Sequence, residues 1–185
     1  MDEGVMLIDP EMFWVDGEPV MMGWTNDKLM FNVDPILMPG DHPVAYATQR
    51  EDGYFEIDRY IFGLKRLADP TIWEDRLYAT QVVFNPELSG RIVVAERKGE
   101  VFEEVNSIPG YTVPYVYREG EQLRMLAQGV NAMGRIQMWT MVSEDGVEWS
   151  EPELYQGLPD DLACESPVAA LFKGLYVLVC SDRMT

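Results

Sequence analysis

The chain has 185 residues, 47% of them apolar and 11% aromatic, enough material for one sizeable core. Its 32 acidic against 14 basic side chains leave a formal charge of -18, so a phosphate backbone is repelled and nucleic acid is excluded as a partner. No apolar run approaches the ~20 residues that span a bilayer, which excludes a membrane helix, and Met1-Asp2-Glu3-Gly4 lacks the basic start of a signal peptide; a soluble chain is expected, its compartment unspecified.

In chain order, β-rich runs alternate with turns, and helical periodicity is weak throughout. The run "DPEMFWVDGEPVMMGWT" from Asp9 reads as a hairpin about Asp16-Gly17, and "VAYATQREDGYFEI" as a second hairpin with a charged, glycine-bearing turn. Between them lies the turn-like Pro39-Gly40-Asp41-His42-Pro43. His42 is the single histidine, so a histidine-rich zinc site is excluded, and the residue reads as part of a turn. Next come "DPTIWEDRLYATQVVF" from Asp69, turning at Glu74-Asp75, and "IVVAERKGEVFEEV". "VPYVYREGEQLRMLA" from Val113 turns at Glu119-Gly120, and "IQMWTMVSEDGVEW" follows it. The last run, "SPVAALFKGLYVLVCS" from Ser166, turns at Lys173-Gly174. Cys164 and Cys180 are too few for a disulfide scaffold and read as buried small hydrophobes.

These runs repeat. Pro10, Pro70, Pro114 and Pro167 open the first kind of hairpin at separations of 60, 44 and 53 residues. The aromatics that follow the charged turns of the second kind, Phe55, Phe102 and Trp149, are separated by 47 and 47. Two hairpins per ~45 residues make four strands per repeat, the period of β-propeller blades. Proline fits the first residues of a strand and not the interior of a central one. The expected fold is all-β: a single propeller domain over residues 1–185 with about three and a half blades, at 9–60, 69–108, 113–156 and, in part, 166–181. Gly4 to Ile8 could supply one closing strand; otherwise the ring is completed by another chain, stays open, or descends from a longer propeller.

The hairpins opening Asp9-Pro10, Asp69-Pro70 and Glu165-Ser166-Pro167 resemble those of five-bladed propeller glycosidases of the arabinanase/β-xylosidase and invertase/inulinase type. "ADPTIWEDRLY" and "ESPVAALFKGLYVLV" are similar to the acid-Pro-apolar-turn-Gly-Tyr pattern of those families, and "SEDGVEW" resembles an outer-strand hairpin common among them. The resemblance implies that Asp9 is base or nucleophile, Asp69 a modulator and Glu165 the general acid of a glycoside hydrolase. The third unit departs from it by opening on Val113-Pro114.

A physical argument stands beside the resemblance. Inner strands of all blades run the same way, so their first residues gather at one mouth of the central channel. Glycoside hydrolysis needs one protonated and one ionised carboxyl about 5–5.5 Å apart for retention or about 6.5–9.5 Å for inversion. Clustered acids divide those roles by raising one pKa. Trp14, Trp24 and Trp73 are candidate sugar-stacking faces, with core packing the commoner role for such residues. The same acids also suit a plain structural role, accepting backbone N–H bonds at strand starts.

Two functions therefore stand side by side. One is a glycan-active or glycan-binding propeller with an acidic central pocket, carbohydrate as ligand and no cofactor or metal. Enzymatic activity is left open. The other is a non-catalytic assembly protein that uses the propeller edge, with self-association or a partner chain completing the last blade.

Overall fold

The computed structural model describes residues 7–15, 18–25, 44–61, 67–85, 87–99, 101–158 and 164–182. Its first sheet holds β1 (Leu7–Val15), β2 (Glu18–Thr25), β3 (Val44–Gln49) and β4 (Phe55–Ile61). The second holds β5 (Leu67–Trp73), β6 (Arg76–Asn85), β7 (Glu87–Lys98) and β8 (Val101–Pro109). In the third are β9 (Tyr111–Glu119), β10 (Gln122–Val130), β11 (Ile136–Ser143) and the short β12 (Glu153–Leu154). The fourth has two described strands, β13 (Cys164–Phe172) and β14 (Leu175–Asp182). Strands pair antiparallel with their sequence neighbours in every sheet. The inner strands stack in chain order, β1 on β5, β5 on β9 and β9 on β13. The chain is a β-propeller of three four-stranded blades and half of a fourth.

Local sequence explains the tight inner hairpins. Lys173 and Gly174 both have positive φ, 50° and 79°, as a two-residue turn matched to strand twist requires. Glu74 at φ 53° and Gly120 at φ 62° serve the β5–β6 and β9–β10 turns. The expected turn at Asp16-Gly17, the loop bearing His42, and Gly4 to Met6 lie outside the described residues. Leu7 and Ile8, expected in a separate closing strand, extend β1 itself.

Period-2 alternation then buries both faces of the middle strands. On β6, Leu77 and Ala79 pack toward the first sheet with Val20, Met22 and Phe102. Tyr78, one residue out of phase, packs toward the third with Leu123, Met125 and Met141. β7 divides in the same way, Val93 and Ala95 to one side and Ile92 and Val94 to the other. Such two-sided burial is why these strands read as nearly continuous apolar runs. Withdrawal of apolar surface from water along these seams, at ~25 cal/mol per Å2, is the main force holding sheet to sheet. Between the third and fourth sheets the buried residues among those described are Leu126, Met138 and Ala169.

The cysteines depart from expectation. Cys180 is disulfide-bonded, not a buried thiol. Cys164 is the only other cysteine in the chain, and its backbone pairs with that of Asp182, two residues from Cys180. Residues 16 apart in sequence become cross-strand neighbours once the hairpin folds back, which spacing alone does not reveal.

Candidate functional site at the inner-strand bulges

Each inner strand breaks register at the same point. In β1 the ladder passes from Ile8↔Trp24 to Glu11↔Met22, so Asp9 and Pro10 together oppose one residue. In β5 it passes from Ala68↔Thr80 to Thr71↔Tyr78, around Asp69-Pro70. The break in β9 falls at Val113-Pro114, between Thr112↔Gln128 and Tyr115↔Leu126. In β13 it falls at Ser166-Pro167, between Glu165↔Ser181 and Val168↔Val179. Proline is the cause in each sheet: it has no N–H to give the ladder, and its ring restricts the residue before it. Bulges of this kind re-aim a side chain and occur next to functional sites.

The residue before each proline is thus structurally equivalent across the four sheets: Asp9, Asp69, Val113 and Ser166. Asp69 and Val113 adopt left-handed backbone conformations, φ 48° and 51°. Aspartate tolerates that region because its short polar side chain bonds locally. A β-branched valine does not, and at Val113 the backbone holds a strained residue. Glu165 sits one residue earlier than the bulge, paired with Ser181, where the other sheets carry Ile8, Ala68 and Thr112.

Two threonines of the second sheet fasten the bulge of the third. Thr71 Oγ1 donates to the Pro114 carbonyl at 2.7 Å, and the Val113 N–H donates to Thr80 Oγ1 at 2.7 Å. Both threonines are buried. Tyr115, one residue past the bulge, donates its phenol O–H to the Ala169 carbonyl of the fourth sheet at 2.8 Å. Adjacent inner strands are therefore tied to each other as well as packed. The readable signal for Thr71 was a polar residue directly after Asp69-Pro70 in an apolar run; nothing local marked Thr80.

The candidate tryptophans distribute differently. Trp24 pairs with Ile8 beside the Asp9 bulge, while Trp14 pairs with Pro19 at the far end of β1. Trp73 closes β5 at its turn, packed against the cluster around Tyr78, with the Arg118 guanidinium 5.9 Å above its ring. At ~3.3 Å per residue, four residues place the backbone of Trp73 about 13 Å from that of Asp69. The side chains of Asp9, Trp14, Trp24 and Glu165 lie outside the described part of the structure.

The "SEDGVEW" segment lies elsewhere and holds two sheets together. Asp145 Oδ1 accepts from the Val147 N–H at 2.8 Å, the Glu148 N–H at 2.9 Å and Ser143 Oγ at 3.1 Å. These bonds, the one from Val147 foremost, hold its carboxyl below the ordinary range. The Gly146 carbonyl accepts the Tyr78 phenol of the second sheet at 2.9 Å, and Asn106 Nδ2 reaches the Val147 carbonyl at 2.8 Å. Burial raises the Tyr78 pKa well above that of a free phenol, so it stays protonated as a donor. Trp149 meets the Tyr78 ring edge-on at 5.8 Å.

No family model matches the sequence, and no curated protein matches it. Solved structures match its shape. An endo-arabinase from Bacteroides thetaiotaomicron VPI-5482 superposes over 91% of this chain and 68% of its own, with TM-score 0.65 at 13% identity. The alpha-L-arabinanase of Cellvibrio cellulosa does so over 95% and 69%, with TM-score 0.57 at 10% identity. The fold is that of the arabinanase propellers. An endo-1,4-beta-xylanase from Bacteroides thetaiotaomicron shares it, over 92% of this chain and 64% of its own, with TM-score 0.52 at 12% identity. The chain spans about two thirds of the length of each of these proteins.

Proposed function

We propose that the chain is a glycan-binding propeller related in mechanism to glycoside hydrolases, with Asp9, Asp69 and Glu165 as its working acids. The observation that carries this reading is the repeated bulge. It sets Asp9 and Asp69 at equivalent points of adjacent inner strands and Glu165 one residue before that point, on a fold shared with two arabinanases and a xylanase.

In this reading Asp9, as carboxylate, activates water or attacks the anomeric carbon. Glu165, kept protonated, donates to the leaving oxygen. Asp69 orients the pair and adds the negative charge that keeps Glu165 protonated. Val113 brings no charge from the third inner strand and offers an apolar wall instead, so two of the four bulges carry carboxylates. Of the tryptophans, Trp24 stands at the same end of the first sheet as Asp9, which favours it as the one that stacks on a bound sugar.

The test is a panel of arabinan, xylan and β-1,3-linked galactan with the wild type and with Asp9→Asn and Glu165→Gln. Both variants are expected to lose hydrolysis or binding by about 100-fold or more while keeping their Tm. Unchanged activity and affinity in both would rule the reading out.

A further inference from the structure

Among the described residues, positive φ outside glycine occurs at Asp69, Glu74, Val113 and Lys173, at 48°, 53°, 51° and 50°. Three of these suit the conformation. Glu74 and Lys173 stand in two-residue hairpin turns whose twist demands it, and the short polar side chain of an aspartate bonds locally there. Val113 is the exception. It lies inside β9 and not in a hairpin turn, and a β-branched side chain in the left-handed region crowds its own backbone.

Core packing does not account for a valine at this point either. Pro114 and Val116 are buried, whereas Val113 is partly exposed, and it takes no part in the buried clusters on the two faces of its sheet. Yet the second sheet holds the strained backbone firmly. The Val113 N–H donates to Thr80 Oγ1 and the Pro114 carbonyl accepts from Thr71 Oγ1, each at 2.7 Å and each with a buried threonine. Beside them, Gly90 leaves no room for a side chain against the Thr112 methyl. Backbone strain over-determined in this way clusters at binding and catalytic sites.

The place of Val113 agrees with such a role. It is the register equivalent of Asp69 on the neighbouring inner strand, and the two share one backbone conformation. One bulge offers a carboxylate, the other an isopropyl group. A sugar ring presents the matching pair of surfaces, hydroxyls at its rim and C–H bonds on its faces, and ligand sites join apolar lining to a few polar groups in just this manner. At a net charge of -18 the chain disfavours an anionic ligand.

We propose that Val113 is a carbohydrate-contacting residue, whose branched side chain takes the C–H face of a neutral sugar while a hydroxyl of that sugar bonds to Asp69. The proposal rests on the glycan reading above.

The test measures Tm and affinity for arabinan, xylan and β-1,3-linked galactan in Val113→Asn. Asparagine is at ease with positive φ, so Tm should rise by about 2–4 °C. Affinity for the glycan that the wild type binds best should fall about tenfold with the lost apolar contact. A valine that served stability alone would not move the two in opposite directions. Glu74→Asn gives the same relief of strain in an exposed turn and should raise Tm with affinity unchanged. Val113→Ile, which returns a branched apolar side chain, should recover the affinity lost in Val113→Asn and forfeit the gain in Tm. Unchanged affinity or a lowered Tm in Val113→Asn, or an equal loss of affinity in Glu74→Asn, would overturn the proposal and leave the glycan reading standing. Failure of the wild type to bind any of the three glycans would overturn both.

Discussion

The seam between the second and third sheets and the seam between the third and fourth are built from the same kind of strand, and among the described residues different side-chain bonds cross them. The first is closed by eight buried residues and by a turn that reaches back: Gly146 and Val147 of the third sheet accept bonds from Tyr78 and Asn106 of the second. Among the described residues the second is lined by Leu126, Met138 and Ala169 and crossed by the Tyr115 bond to the Ala169 carbonyl. The returning turn belongs to the outer half of the downstream blade, after its third strand. Phe102, from the outer half of the second blade, fills the seam toward the first in the same manner as Trp149 fills the next. In the second and third blades the outer half thus adds to the fastening that the middle strands provide.

The sharpest way to break this contrast is Gly146→Ala. Gly146 has φ 75°, and a Cβ there would stand 2.7 Å from the Tyr78 hydroxyl and 3.0 Å from Leu123 Cδ1. Left-handed strain and overpacking combine to a loss of about 2–4 kcal/mol. Thermal unfolding should record a larger Tm drop than for Tyr78→Phe, Tyr115→Phe or Asp145→Ala. A Tm within ~2 °C of wild type would mean that the turn does not clamp the seam.

A matched pair of substitutions measures the two seams directly. Tyr78→Phe and Tyr115→Phe each remove one phenol that donates to a backbone carbonyl of the neighbouring sheet. Tyr78 is fully buried, so the Gly146 carbonyl loses its partner without access to water, at about 1–2 kcal/mol. Tyr115 is half-buried, water can replace its bond, and about 0.5–1 kcal/mol is expected. Denaturant midpoints at equal m-value give the comparison, and an equal or larger loss at Tyr115 would reverse it. The Tyr78 pair also has an alkaline signature. A phenol whose folded pKa is raised contributes stability that is intact below its unfolded pKa near 10 and is lost as pH climbs toward the folded value. Tyr78→Phe should therefore flatten the decline in stability above about pH 10.

Much of this architecture was legible beforehand. Proline spacing and the Phe55, Phe102, Trp149 series carry the repeat, because a blade must bury the same faces at the same strand positions each time. The starts of the inner strands were misplaced: each strand begins three residues before its proline, because the bulge lets proline sit inside the strand without breaking it. What proline spacing did not carry was the bulge itself. Register shift depends on the partner strand as well as on Asp69-Pro70 or Val113-Pro114, so the opposition of two residues to one at each of these points emerges only from the pairing. The "SEDGVEW" hairpin was half right. Its turn and the burial of Trp149 follow from local chemistry, but the fourth strand shrinks to Glu153–Leu154 because Asp145 takes the N–H groups of Val147 and Glu148 instead of leaving them to a ladder. The disulfide was missed because cross-strand adjacency is a property of the hairpin and not of the spacing of Cys164 and Cys180.

The smallest effect sharpens the same comparison through pH. Asp145 is exposed, yet its carboxylate accepts two backbone N–H bonds and the Ser143 hydroxyl, and its pKa is depressed. A carboxyl with a lowered folded pKa adds stability that is present above its unfolded value near 4 and is lost as pH falls through the folded one. Asp145→Ala should cost little at pH 7, about 2 °C in Tm or less once solvent screening is allowed for. The gap between mutant and wild type should begin to narrow below pH 4 and close once pH has fallen through the depressed folded pKa, where the wild-type carboxylate is itself protonated. If the gap instead failed to narrow at all as pH fell below 4, side-chain charge would not be what organises the turn, and Ser143 Oγ, bonded to the Gly146 N–H at 2.8 Å, would be the group that presents the Gly146 carbonyl to Tyr78.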